Sequence, residues 1–188
     1  MQIKLDRLPS YKRQSLHYNI QNQIAAMSTQ SIAFHADHNH QHCIEQALEQ
    51  ARTLCRERKQ RLTAIRELVL KLIWQSHKPL GAYDLLPALA EAGFNSAPPT
   101  VYRALDFLQA QGLVHRIASL NAFIGCPSPD HAHDGCFLIC QQCGTVVELD
   151  ASKIINQVQQ EAQAMGFTPH HQTIEIAGLC PNCQEQEA

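Results

Sequence analysis

Four cysteines near the C-terminus constrain the fold of this chain more than any other feature. They form two C-x-x-C pairs, Cys140 with Cys143 and Cys180 with Cys183. Each pair places two sulfurs on one tight turn, and two such turns can enclose a tetrahedral Zn²⁺ at about 2.3 Å per bond. Two disulfides or a redox pair are the alternatives. Because nothing in the sequence indicates secretion, we predict a structural zinc site.

The composition predicts a globular, cytoplasmic protein of one domain or two small ones. Of 188 residues, 45% are hydrophobic and 17% are charged, so bulk disorder is not expected. No apolar run reaches the roughly 18 residues of a membrane span, and the N-terminus lacks a secretory signal. Eight cysteines and 11 histidines in such a chain favour bound metal over disulfides.

The charged residues divide the chain into two unlike halves. Residues 126–188 carry one basic residue, Lys153, against eight acidic ones. Residues 44–125 carry ten basic and seven acidic side chains. A mildly basic half joined to an acidic half is typical of two domains, and only the basic half suits a polyanion.

The N-terminal part of the pattern predicts a DNA-binding domain. We interpret residues 1–43 as a poorly ordered, His-rich extension. Over residues 44–125, apolar residues recur at helical spacing in segments that begin near Ile44, Thr63, Tyr83 and Pro98, with Thr63 as a helix cap. Two short β-like runs follow, at 113–117 and 122–125. This order is that of a winged helix-turn-helix, whose last helix enters the major groove.

The C-terminal part predicts a second, smaller domain. Residues 126–135 are interpreted as a hinge and metal-binding segment, and residues 136–188 as a ββαβ module closed by the four cysteines. A core of this size rarely stabilises itself and usually needs a metal or a partner chain. The predicted fold class is therefore α+β, a winged helix followed by a small, zinc-stapled α/β domain.

A second set of potential metal ligands lies around the hinge. It combines sulfur, imidazole and carboxylate, which suits four-coordinate Zn²⁺, and its members are His115, Cys126, His131, His133 and Glu148. A lone histidine is more often structural, so the spacing alone does not establish the site. His170 and His171, with Asp134, form a weaker third candidate.

The start of the last predicted helix carries candidate DNA contacts. With Val101 and Leu105 facing the core, Thr100, Tyr102 and Arg103 face outward near the helix N-terminus. Arg and Tyr side chains can contact bases or phosphates, although an ordinary solvated helix face is the alternative. Basic side chains on the first two helices add a candidate phosphate surface: Arg52, Arg56, Arg58, Lys59 and Arg61.

Several segments, taken in order, resemble the ferric uptake regulator family and within it the zinc-sensing branch. They are RLTAIRELVLKLI, AYDLL, PPTVYRALDFL, GLVHRI, FLICQQCGTVVE and IEIAGLCPNC, and the resemblance covers about residues 44–183. It implies a homodimer whose C-terminal domain is the dimerisation domain. It also implies a zinc-responsive repressor of zinc-uptake genes, with zinc as co-repressor and pseudo-palindromic DNA operators as partners.

The resemblance also assigns the site residues. The cysteines of both C-x-x-C pairs match the family's structural zinc ligands. The regulatory zinc ligands of the zinc branch match four residues: His115, Cys126, His133 and Glu148. Two Zn²⁺ per chain are thus implied, and Tyr102 and Arg103 match the DNA-contacting pair.

The chain departs from the family pattern at three places. Residues 1–43 have no counterpart, Ala64 replaces a usual proline, and the segment from Cys126 to His133 is about one residue short. His131 therefore competes with His133 as a ligand.

The alternative functions belong to two classes of protein. One is a regulator of the same family that senses iron, manganese or peroxide, and the other is a zinc-storage or zinc-chaperone protein. The sequence has no H-E-x-x-H motif, and an enzyme with a small-molecule substrate is not expected.

Overall fold

Helices dominate the first part of the chain. The computed structural model describes residues 40–76, 78–129 and 135–187. Its first elements are α1 (His40–Glu57), α2 (Ala64–Trp74), a 3-10 helix (Ala82–Leu85), α3 (Leu86–Glu91) and α4 (Pro98–Ala110). Helix α1 thus begins four residues before the expected boundary at Ile44. The rest of the proposed extension, residues 1–39, lies outside the described residues.

The helices enclose the larger of the apolar cores. Its most buried members come from all four helices and the 3-10 turn, and they include Ala51, Val69, Leu70, Leu85, Leu89, Val101, Leu105 and Leu108. Each large apolar side chain removed from water contributes roughly 1.5–3 kcal/mol. This core therefore holds α4 at a fixed angle to the helices that precede it.

Two details of the helices differ from the sequence prediction. The helix expected over residues 83–92 is a 3-10 turn followed by α3, because Pro87 lies at the start of α3 and has no N–H for a continuous helix. Thr63 is the residue before α2, as predicted, but its side chain makes no capping hydrogen bond.

A three-stranded antiparallel sheet follows α4. Gly112 ends the helix with φ +71°, a conformation that glycine adopts without strain. The strands are β1 (Leu80–Gly81), β2 (Val114–Ile117) and β3 (Ala122–Gly125), in the order β1-β3-β2. The predicted hairpin, hereafter the wing, consists of β2, β3 and the turn at residues 118–121. The pairing of β1 with β3 was not predicted.

The C-terminal part has the predicted ββαβ order, with one more helix. Its elements are β4 (Gly135–Cys140), β5 (Val146–Glu148), α5 (Ser152–Ala164), β6 (Thr173–Gly178) and α6 (Pro181–Glu187). Strand β4 lies between β5, which is antiparallel to it, and β6, which is parallel to it. The α+β fold class is therefore confirmed.

The wing packs directly on the C-terminal sheet. Ile117 and Ile124 of the wing join a small apolar cluster with Phe137, Ile139 and Val146. Residues 38–188 accordingly form one compact unit. None of the described helices combines the length and the apolar character that crossing a membrane requires.

Candidate metal centres and nucleic-acid interface

The four predicted structural ligands converge between the ends of two strands. Cys140 is the last residue of β4 and Cys143 lies on the turn toward β5. Cys180 follows β6 and Cys183 lies on α6. Gly144, with φ +74°, allows the first turn to close, and its N–H donates to the Cys140 carbonyl at 3.0 Å.

The sulfurs are arranged as a metal shell. All four lie within 4.8 Å of one another, and the Cys143 and Cys180 sulfurs are 3.8 Å apart. Four sulfurs about 2.3 Å from one ion stand about 3.8 Å apart at the corners of a tetrahedron. None of the eight cysteines, which all lie in the described ranges, forms a disulfide. The donor set and its spacing therefore fit Zn²⁺.

Electrostatics within this cluster favour a cation. Burial raises the pKa of the Cys140 thiol. Hydrogen bonds from the N–H groups of Cys143 and Cys180 have a larger, opposite effect, and the pKa falls below its usual value to about 6. Burial and the neighbouring cysteines raise the pKa of Cys183 to about 12. Four crowded sulfurs cannot all carry negative charge unless a positive ion lies among them. A divalent metal would supply that charge.

The second cluster joins the wing to the C-terminal sheet. His115 lies on β2, Cys126 follows β3 directly, and Glu148 ends β5. The register pairs His115 with Ile124, and the Cys126 N–H donates to the Leu113 carbonyl at 3.1 Å, which extends the hairpin by one pair. His115 and Cys126 are therefore diagonal neighbours on one side of the wing.

Three different donor types meet in this cluster. One ligand atom from each of His115, Cys126 and Glu148 lies within 4.8 Å of the other two. His115 Nε2 is 3.4 Å from Glu148 Oε1, and each of these side chains is 15% exposed. Cys126 is 2% exposed. A sulfur, an imidazole and a carboxylate, largely withdrawn from water, fit a zinc site that needs one further ligand.

Of the remaining histidine candidates, the structure describes only His170 and His171, and neither belongs to the two clusters. His131 and His133 lie outside the described residues, as does Asp134. His171 is exposed, and its Nε2 lies 3.2 Å from the Thr173 hydroxyl. Among the described residues, metal-ligating groups of three or more are limited to the two clusters.

The start of α4 presents a polar, outward surface. Val101 and Leu105 are fully buried, whereas Tyr102 and Arg103 are exposed. Thr100 is half-buried and lines a groove of about 190 Å³ with side chains of α2 and α4. Arg103 Nε donates to the Pro99 carbonyl at 3.2 Å. That bond orients the guanidinium and leaves its terminal nitrogens available for a ligand.

Another exposed aromatic side chain lies close to α4 in the fold. Tyr83 is 65% exposed and belongs to the 3-10 helix that packs against α4. The sequence predicted Tyr83 at the start of an ordinary helix, where a tyrosine gives no signal of exposure. Two of the arginines that were expected to contact phosphate have partners within the protein. Arg52 pairs with Glu67, and Arg58 donates to the Gln111 and Pro129 carbonyls.

Known proteins with similar sequences and structures share these features. Residues 57–177 match the model of the ferric uptake regulator family. The zinc uptake regulation protein of Escherichia coli (strain K12) is 42% identical over 145 residues, which is 77% of this chain and 85% of that protein.

Two solved structures superpose on most of the chain. A zinc uptake regulator complexed with zinc and DNA has a TM-score of 0.73 and 41% identity, covering 77% of this chain and 97% of that one. Holo XcZur has a TM-score of 0.69 and 46% identity, covering 73% of this chain and 96% of that one. The family comprises transcription regulators and is not a family of enzymes. On these grounds, the chain belongs to the ferric uptake regulator family.

Proposed function

We propose that this protein is a zinc-responsive transcriptional repressor of zinc-uptake genes, with zinc as co-repressor. The similar E. coli protein is named for regulation of zinc uptake, and a similar solved structure is a complex with zinc and DNA. Because its partner is DNA, the protein acts in the cytoplasm. The observation that carries the proposal is the mixed cluster, whose residues come from both sides of the hinge.

The four cysteines and the mixed cluster have different roles in this proposal. The cysteines hold a structural Zn²⁺ that closes the C-terminal module. His115, Cys126 and Glu148 hold the regulatory Zn²⁺, and His133 supplies the fourth ligand, with His131 as its competitor. Each chain thus takes two zinc ions.

Regulation follows from the positions of the regulatory ligands. Cys126 and His115 move with the wing, and Glu148 moves with the C-terminal sheet. An ion bound by all of them favours the arrangement in which the wing and the sheet are in contact. Its binding shifts the balance only by the difference in affinity between the two arrangements. A shift from 1:99 to 99:1 needs about 5.5 kcal/mol.

We infer that the active form is a homodimer. Helix α5 and strand β6 expose large apolar side chains: Ile154 (51%), Val158 (46%) and Ile176 (46%). Ile154 and Val158 are four residues apart and therefore lie on one side of α5. A second copy of the chain would cover this surface. The dimer would present two copies of α4 to successive major grooves about 34 Å apart, which requires a pseudo-palindromic operator.

The outward side of α4 is the proposed reader of DNA. Tyr102 and Arg103 reach bases or phosphates, while Thr100 lies in the groove beside Arg103. The first two residues of α4 are Pro98 and Pro99, which have no N–H, and the Thr100 and Val101 N–H groups both donate to the Ala97 carbonyl. The contribution of this helix N-terminus to phosphate binding is therefore limited to its dipole.

The donor set distinguishes zinc from the metals of related sensors. Iron and manganese sensors of this fold would favour oxygen and nitrogen donors, whereas the buried Cys126 thiolate favours zinc.

Operator binding with and without zinc tests the proposal. We expect DNA fragments with a pseudo-palindrome to be retarded in a gel only when both metal sites are filled. Titrations with Fe²⁺ and Mn²⁺ should give no retardation at matched free concentrations. Equal DNA affinity of the protein with its cysteine cluster filled, before and after further zinc addition, would contradict the switch.

A further inference from the structure

Three side chains of the C-terminal sheet form a row that crosses all three strands. The register pairs Glu148 with Phe137 on the central strand, and Phe137 with Glu175 on the third. Directly paired residues point to the same side of a sheet, so the three side chains share one face. The rings of His115 and Phe137 are in contact, with centroids 5.2 Å apart, so this face is turned toward the wing.

Glu175, at the end of the row away from the metal cluster, accepts hydrogen bonds from the turn of the wing. Glu175 Oε1 accepts from the Ala118 N–H at 2.6 Å, and Oε2 accepts from the Ser119 N–H at 3.0 Å. These two residues begin the turn between β2 and β3. Hydrogen bonds to an ionised carboxylate are roughly twice as strong as bonds between neutral groups.

The Glu175 carboxylate is charged under ordinary conditions. Burial raises the pKa of this carboxylate. Hydrogen bonds from Ser119 and Ala118 have a larger, opposite effect, so the pKa lies below the usual value for glutamate. Within the wing, Arg116 Nη2 donates to the Asn121 side-chain oxygen at 2.9 Å, an exposed hydrogen bond that links β2 to the end of the turn. The turn that Glu175 binds is thus connected to the rest of the hairpin.

We propose that Glu175 is a positioning residue that fixes the angle between the winged helix and the C-terminal sheet. The row spans two strand spacings, about 10 Å, and the three residue steps from His115 on β2 to Ala118 in the turn also span about 10 Å. The apolar cluster between the wing and the sheet is non-directional, and the metal cluster fixes one polar point of contact. The Glu175 contact fixes a second polar point and so restricts rotation of the wing on the sheet.

The angle matters because it sets the distance between the two copies of α4. A dimer reads half-sites one helical turn apart, and its tolerance for other spacings grows when the winged helices can rotate. This inference rests on the proposed function, and it makes Glu175 a determinant of half-site spacing.

The test compares Glu175→Gln with Glu185→Gln, which removes the same charge at an exposed position on α6. Glutamine keeps the size of the side chain, but its NH₂ group would face an N–H donor. With zinc bound, we expect hydrogen exchange of the Ala118 and Ser119 amides to accelerate in the Glu175 variant alone. We also expect a roughly tenfold loss of operator affinity, as for the loss of charge-assisted bonds, and weaker discrimination against an operator lengthened by one base pair.

Glu175→Asp provides a second variant if the first folds poorly, because it keeps the charge but shortens the reach to the turn. Unchanged amide exchange and unchanged discrimination would overturn the proposal. An equal loss on both operators would also overturn it, since that pattern indicates lower stability without a change of angle. Absence of zinc-dependent binding in the unaltered protein would contradict the proposed function instead, and the amide exchange would still decide whether Glu175 holds the wing.

Discussion

Cys126 lies at the junction between the wing and the hinge. Its sulfur belongs to the mixed cluster, and its backbone still pairs with β2 through the Leu113 carbonyl. We expect Cys126→Ser to abolish zinc-dependent operator binding, because a neutral hydroxyl replaces the thiolate that zinc prefers. The cysteine cluster is untouched, so the variant should retain one tightly bound zinc per chain. Elemental analysis and gel retardation would measure both quantities.

Cys43→Ser is the matched control, since Cys43 lies on α1 and in neither cluster. It should bind two zinc ions and respond normally. A full zinc response in Cys126→Ser would remove this residue from the regulatory site.

Gly125 leaves room for the only tryptophan of the chain. A methyl group at Gly125 would lie 2.4 Å from two atoms of the Trp74 indole, so the ring or the backbone would have to move. We expect Gly125→Ala to lower the free energy of unfolding by about 1–3 kcal/mol. Because Cys126 is the next residue, affinity for the regulatory zinc should fall as well. Urea unfolding and Trp74 emission would report these changes.

Gly178→Ala is the control for this substitution. A methyl group there meets no atom within 4 Å, and the residue lies on β6. If the two alanine variants were equally stable, the contact with Trp74 would have no energetic consequence.

At the scale of elements, α4 is the part whose role was most visible in the sequence. The apolar spacing that buries Val101 and Leu105 also determines that Arg103 faces outward. We expect Arg103→Ala to reduce operator affinity by about 1–3 kcal/mol and to relax the preference at one base pair per half-site, if the guanidinium reads guanine. A phosphate contact would instead give a loss independent of sequence and a salt slope lower by about one.

Lys153→Ala removes one positive charge from α5 and serves as the control. Titrations on consensus and scrambled operators at two salt concentrations would separate the cases. Unchanged affinity in Arg103→Ala would exclude α4 as the reader.

Most elements were predictable because each buries one regular face. The helical spacing predicted α1, α2 and α4, and short β-like runs predicted the wing and the ββαβ order. The 3-10 turn was missed because its cause, the absent N–H of Pro87, acts within a pattern that still has helical spacing. Strand β1 was missed because two residues are too few to show a period.

The candidate site was predictable to the extent that it depends on residue type. Cys140 and its three partners form two C-x-x-C pairs, a spacing that is typical of a structural zinc site. The contact of Glu175 with the wing turn has no such signal, because it depends on a register between strands more than thirty residues apart. His133 remains a prediction, which rests on its donor type near the hinge and on the resemblance.

At the scale of the whole molecule, the proposed homodimer depends on the exposed apolar side of α5. We expect replacement of both Ile154 and Val158 by aspartate to give a folded monomer, because a charge inside an apolar interface is costly to bury. Sedimentation velocity would measure the mass, and circular dichroism would verify the fold. Asn156→Asp, on another side of α5, should remain a dimer. A dimer in the double variant would place the interface elsewhere.

The position of Glu148, five residues after Cys143, has a consequence for the order in which the two metal clusters fill. The turn that carries Cys140 and Cys143 also sets where β5 begins, so filling of the cysteine cluster would fix the place of the Glu148 carboxylate. Under the proposed function, a newly synthesised chain would therefore bind its first zinc ion at the cysteine cluster before a second one acts as co-repressor. Repression would then begin only after the cysteine cluster has been supplied.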